Sequence, residues 1–193
     1  MPKPLVMNVN GFDEPRPFEI VGGIKFPKMA ARPSHQNFVA NTLGIFRSFL
    51  RGGSCRVFME TYVFLEEKEM YIPDLVVVCN PAKIDLQKGI MGAPDLVCEA
   101  LSRSTSKRDR ITKKAIYEKH GVKEYWILDD QNQSLEVYHL INGKYELNDI
   151  YFAAYDELEL QFMTKEQKDE ITYTFKTSLF DDLTVDVRDV FED

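Results

Sequence analysis

Two apolar segments constrain this chain more than anything else in it. Ile72-Pro73-Asp74-Leu75-Val76-Val77-Val78-Cys79 and Ala93-Pro94-Asp95-Leu96-Val97-Cys98-Glu99-Ala100-Leu101 each open on Pro-Asp and run into aliphatic residues. Runs this short and this apolar read as strands. Glu99 stands inside the second run, where a carboxylate is tolerated only if it is paired or bound to a cation. If the two segments pair antiparallel with Asp74 facing Glu99, Cys79 faces Pro94 and the apolar runs overlap in full. Opposed residues then have Cβ atoms roughly 4.5–5.5 Å apart. That spacing lets two carboxylates share one divalent ion. Asp95 fails the same test, because it lies about 13 Å before Glu99 along a strand, and it reads as a turn residue opening the strand.

The remainder of the chain supports a soluble α/β protein. Its 193 residues suffice for a real core. Residues 1–17 read as an N-terminal lead and residues 18–193 as a single domain. No apolar run approaches the ~20 residues of a membrane helix, and the first residues lack a secretory leader. Three cysteines without metal spacing, two of them inside apolar runs, predict free thiols and a cytoplasmic location. A net charge of −7 argues against a protein that coats nucleic acid. The charge is uneven, however. Residues 103–123 carry eight basic side chains against two acidic ones, whereas residues 145–193 carry four basic against fourteen acidic.

Local patterns predict the order of elements. Phe18–Val21, Gly22-Gly23 and Ile24–Phe26 read as a hairpin. Residues 35–51 read as a helix with Ser34 as N-cap and Gly52-Gly53 as its stop. Residues 56–65 read as one strand, 80–93 as a loop, 107–119 as a helix and 124–129 as a strand. Residues 135–147 read as a hairpin around Asn142-Gly143. In the tail, helix is expected near 164–170 and strand near 171–175. The result is a mixed sheet with one helix on each side.

The chemistry these residues favour is phosphate chemistry. Asp74 and Glu99 are the candidate ligands of a Mg²⁺ ion, with Mn²⁺ as a substitute. Such an ion would need a lysine to help neutralise developing charge. The residue two past Glu99, on the same strand face, is Leu101, so the strand supplies none. Helical spacing places Asp109, Lys113, Ile116, Tyr117 and His120 on one partly apolar face, which favours Lys113 over Lys114. Lys113→Ala is expected to remove activity and leave folding intact. Glu19 and Glu60 are further acidic candidates, each more simply a paired or solvent-facing strand residue. His35 reads as an exposed or capping residue and Trp126 as core.

The strings FEIVGGIKF, PSHQ, PDLVVV, GAPDLVCEALSRSTSKRDRITKKAIYEKHGVKEYWILD and LEVYHL resemble the Uma2 family of restriction-endonuclease-like proteins, over roughly residues 17–150. The resemblance implies the core of the PD-(D/E)XK nucleases, a mixed sheet flanked by helices. It carries the family's acidic positions onto Asp74, Glu99 and Glu19, and its displaced lysine onto Lys113. Two loops depart from the family pattern, at Ser102-Arg103-Ser104-Thr105 and at Gly22. The implied activity is Mg²⁺-dependent hydrolysis of phosphodiester bonds in DNA, with Arg103, Lys107, Arg108 and Arg110 on the DNA. The rival is a non-catalytic nucleic-acid-binding or assembly protein on the same fold. Cleaving both strands of a duplex is served by a homodimer, and the aromatic residues of the acidic extension, 151–193, must pack on their own domain or on that partner, with the partner favoured.

Overall fold

The computed structural model describes residues 17–192, so the expected N-terminal lead lies almost wholly outside the described residues. The predicted hairpin is β1 (Phe18–Val21) and β2 (Ile24–Pro27), turned by Gly22 and Gly23 at φ of 58° and 81°. These are values that glycine adopts without a Cβ penalty. Helix α1 spans Pro33–Phe49. Arg32, not Ser34, is its N-cap, and no side chain caps it. Pro33 sits at the first helical position, where its fixed φ already suits a helix.

The strand expected over residues 56–65 is two strands, β3 (Arg56–Met59) and β4 (Val63–Glu66). Glu60 breaks it with a φ of 45°, a conformation rare for a residue with a Cβ. The two halves join different sheets, and Glu60 is exposed outside both. β5 (Glu69–Tyr71) and β6 (Leu75–Val78) follow. The region expected to be loop contains β7 (Ile84–Asp85) and β8 (Gly89–Met91). Gly89 has a φ of 130°, and a Cβ there would lie 2.3 Å from the Tyr62 carbonyl oxygen. Gly89→Ala is therefore expected to cost about 1–3 kcal/mol. Urea unfolding measures this, and an unchanged midpoint would contradict it.

β9 (Leu96–Ala100) leads into a π-helical turn, Arg108–Lys113, which continues as α2 (Lys114–Lys119). β10 (Glu124–Asp129), β11 (Ser134–Ile141) and β12 (Lys144–Phe152) complete the main sheet. Its order is β12-β11-β10-β9-β6-β3. β9 and β10 are parallel, with the α2 segment as their crossover, while the other pairs are antiparallel. The second sheet has the order β2-β1-β5-β4-β8-β7.

The main sheet separates two cores. On one face Phe38, Val39 and Phe46 of α1 pack on Leu75, Val77, Leu96, Trp126 and Leu128. On the other, Tyr117 of α2 and residues of the second sheet pack on Val76, Val78, Val97, Tyr125 and Ile127. β6 and β9 pair as Leu75↔Cys98, Val76↔Val97 and Val77↔Leu96. This is the register expected from the sequence, and one step outward it sets Asp74 opposite Glu99. Val76 and Val78 lie in the same core as Val97 and Leu101. By strand alternation Asp74 and Glu99 therefore face the same side, toward α2.

Two further expectations change. Cys79 is not a free thiol, because it is bonded to Cys55. The β3–β6 register, Arg56↔Val78, brings these two residues face to face. Cys98 is free and buried. The acidic tail forms α3 (Glu157–Phe162), α4 (Lys165–Asp169), β13 (Thr174–Lys176), β14 (Thr184–Asp186) and α5 (Val187–Val190). Its apolar residues are largely used by their own chain. Phe175 stacks on Tyr151 at 4.5 Å and lies 5.3 Å from Trp126, and Val185, Val187, Val190 and Phe191 join the α1 core. The aromatic tail thus gives no reason of its own for a partner, although Leu158 and Phe162 stay exposed.

Candidate active site

Three strands and one helix deliver charged side chains to a cleft of about 580 Å³. Asp74 precedes β6, Glu99 lies near the end of β9, Glu19 is on β1 and Lys113 ends the π-helical turn. All four are almost fully buried. The π turn brings Asp109 and Lys113 inward together, and such turns recur at functional sites.

Lys113 is the hub. Its Nζ donates to Glu19 Oε1 and Glu99 Oε1, each at 2.9 Å, and lies 3.4 Å from Asp109 Oδ1. Tyr117 donates its hydroxyl to the same Glu99 oxygen at 2.9 Å. Glu19 Oε1 also accepts the Ile72 amide at 3.1 Å, which fixes its carboxylate between the two sheets. Burying three acids here is tolerable because all of them share the Lys113 ammonium, and losing it would strand them.

Asp74 has a separate set of partners. Lys28 Nζ donates to its Oδ1 at 2.6 Å, and Ala100 donates its amide to Oδ2 at 2.8 Å. The His35 Nε2 atom lies 3.4 Å from that second oxygen. Burial works to raise the Asp74 pKa, but His35 and Lys28 together hold it well below the usual carboxylate range. Glu99 goes the other way. Burial pushes its pKa up to about 8, with neighbouring carboxylates adding to the shift and Lys113 opposing it. Burial likewise raises Asp109. Burial alone would lower the pKa of Lys113, yet Glu99, Glu19 and Asp109 outweigh it and keep the ammonium charged. A carboxylate held ionised beside one pushed toward protonation is a recurrent arrangement at catalytic sites.

The residues singled out from the sequence are distributed as follows. Asp74, Glu99, Lys113 and Glu19 line one cleft, and Glu60 stands outside it. Arg103 and Lys107 are exposed, and of the two only Arg103 lines the cleft. Arg108 lies over the Phe26 ring at 4.7 Å, 3.8 Å from Glu19 Oε2, and its buried Nε has no hydrogen-bond partner among the described residues. Arg110 is tied to Glu136 at 2.7 Å and Asp129 at 3.4 Å, away from the other three. His35, expected to be exposed or capping, instead turns to Asp74. Lys28 was not anticipated, because nothing in Phe-Pro-Lys-Met marks it and only the tertiary fold brings it to Asp74. Asp109, placed by helical spacing on the same face as Lys113, is a third carboxylate at the hub.

Asp74 and Glu99 suit a divalent ion by their donor chemistry. Mg²⁺ is commonly held by one or two carboxylates, with water and substrate phosphate completing its shell. Glu99 Oε2 makes no hydrogen bond among the described residues, since both of its donors use Oε1. No group of three or more His, Cys, Asp and Glu side chains among the described residues forms a ready metal cage. Lysines occupy one oxygen of each carboxylate, Lys28 on Asp74 Oδ1 and Lys113 on Glu99 Oε1.

Comparison with known proteins agrees with this architecture. The fold is similar to that of a solved structure described as a putative nuclease belonging to DUF820 from Anabaena variabilis. The TM-score is 0.64 at 17% identity, over 92% of this chain and 93% of that one. No curated protein matches the chain. The Uma2 family, described as "Putative restriction endonuclease", matches residues 8–168. The chain therefore belongs to the Uma2 family, and the match runs beyond residue 150, through α3 and into α4. No helix among the described residues is long and apolar enough to cross a membrane.

Proposed function

We propose that the protein is a Mg²⁺-dependent endonuclease that hydrolyses phosphodiester bonds in DNA, with Mn²⁺ able to replace Mg²⁺. The observation that carries this reading is the pairing of Asp74 with Glu99 on one face of adjacent strands, in a cleft whose floor is a lysine shared among acids. When bound by these two carboxylates, the ion supplies Lewis acidity to the phosphate and lowers the pKa of a coordinated water. Asp74, held well below the usual carboxylate range, would be a ligand throughout the physiological range. Glu99, raised by burial to about 8, would coordinate the ion fully only once deprotonated. Lys113 keeps the floor of the cleft cationic and fixes the orientation of Glu99 through Oε1. Glu19 holds Lys113 in place and is a positioning residue. Arg108, at the wall of the cleft, offers an unused Nε donor.

Arg103, on the cleft, and the exposed Lys107 of the same basic stretch would meet the DNA backbone, whereas Arg110 is spent on Glu136 and Asp129. Each phosphate contact contributes about −0.9 to the slope of log K against log salt. Replacing Arg103 and Lys107 together by Ala is expected to flatten that slope by about two, and Arg110→Ala is expected to leave it unchanged. Fluorescence anisotropy with duplex DNA over a salt series tests this. A slope unaffected by the double replacement would place the DNA elsewhere.

A further inference from the structure

The two lysines of the cleft are held differently. Lys113 is locked at the floor by three carboxylates, with a side chain 3% exposed. Lys28 has a side chain 20% exposed and comes from the connector between β2 and α1. Residues 28–32 of that connector belong to no helix or strand, and they line the cleft from Lys28 to Arg32. The Lys28 ammonium is held by Asp74 Oδ1 at 2.6 Å and by the Ile72 carbonyl at 2.9 Å. Asp74 Oδ2 already accepts the Ala100 amide and faces His35, so Lys28 occupies the carboxylate oxygen that no backbone donor holds. An ammonium and a divalent ion on one carboxylate oxygen repel each other strongly in a partly buried site.

We propose that Lys28 is a place-holder for the divalent ion. Its ammonium neutralises Asp74 while the ion is absent, and the ion binds by displacing it. The flexible stem of a lysine and the irregular connector let the group leave without breaking a strand. This inference rests on the reading that Asp74 and Glu99 take the ion.

Calorimetric titration with Mn²⁺ tests it on the wild type, Lys28→Met, Lys28→Gln and Asp74→Asn. Both Lys28 variants are expected to bind Mn²⁺ about tenfold more tightly than the wild type, ~1.4 kcal/mol, and Asp74→Asn is expected to abolish binding. Unchanged or weaker binding in the Lys28 variants, with Asp74→Asn still abolishing it, overturns the role of Lys28 alone. Wild-type binding that survives Asp74→Asn, or no binding by any of the proteins, overturns the metal reading and the inference with it. Should the Lys28 variants fail to fold, hydrogen exchange of the wild type decides. Mn²⁺ is expected to speed exchange across residues 28–32, and unchanged or slower exchange there contradicts displacement.

Discussion

Lys113→Met is expected to destabilise the protein by ~3–5 kcal/mol near pH 8, as well as to abolish any cleavage. Its position on a helix face suggested from the sequence that truncation would leave folding intact. Burial changes that expectation, because removing the ammonium leaves Glu19, Glu99 and Asp109 facing one another without a cation. The sign with pH follows from linkage. Lys113 has a folded pKa raised above its unfolded value, so its stabilisation is fully present below the unfolded value and is lost only above it. Burial already raises Glu99 and Asp109, and in the variant, without the opposing ammonium, these two take up protons more readily when folded than when unfolded. The deficit is therefore largest at alkaline pH and shrinks as the pH falls toward the ordinary carboxylate range. Urea unfolding of both proteins at about pH 5 and about pH 8 measures this. An equal, small deficit at both would show that Lys113 is not the hub of the cluster.

The affinity for Mn²⁺ is expected to climb by about tenfold per pH unit between about pH 6 and pH 8, then level off. A ligand must shed its proton to bind a metal, and Glu99 holds its own up to about pH 8. Asp74 is already ionised throughout that window and adds no dependence. Without metal the same group works in the opposite sense. Its raised pKa favours the folded state while it is protonated, and that contribution falls as the pH rises through about 8. Glu99→Gln is expected to bind Mn²⁺ weakly and with a flat profile over the window. A steep profile in that variant would assign the titration to another group.

The acidic half of the site was legible in the sequence for a physical reason. Strand pairing has a period of two and one sensible register when both runs are apolar, so Asp74, Glu99 and their common face follow from residue numbers alone. Lys113 followed from helical spacing, and a π turn in place of the expected regular helix left it on the inward face. What escaped was set by long-range packing. Lys28 lies 46 residues from Asp74 in sequence, and no periodicity links an irregular connector to a strand. His35 was misread because a histidine in the first turn of a helix gives no sign of what the turn packs against. The division of residues 56–65 between two sheets hinged on one positive φ at Glu60, where composition favours continuous strand. The Cys55–Cys79 bond escaped because the count of cysteines says nothing of register, whereas the β3–β6 pairing brings the two together. The sequence left the tail between its own domain and a partner, because its aromatic residues are spread among acidic ones. Only the fold shows that Phe175 and its neighbours cover the far side of the sheet.

The central claim is that Asp74 and Glu99 form a divalent-ion site for DNA hydrolysis, and plasmid cleavage tests it most directly. Purified protein is incubated with supercoiled plasmid in Mg²⁺, in Mn²⁺ and in excess chelator, beside Asp74→Asn prepared identically. Nicked and then linear DNA is expected with either metal, and none with the chelator or with Asp74→Asn. Cleavage that persists in the chelator or in Asp74→Asn, or intact plasmid with every metal, would contradict the account.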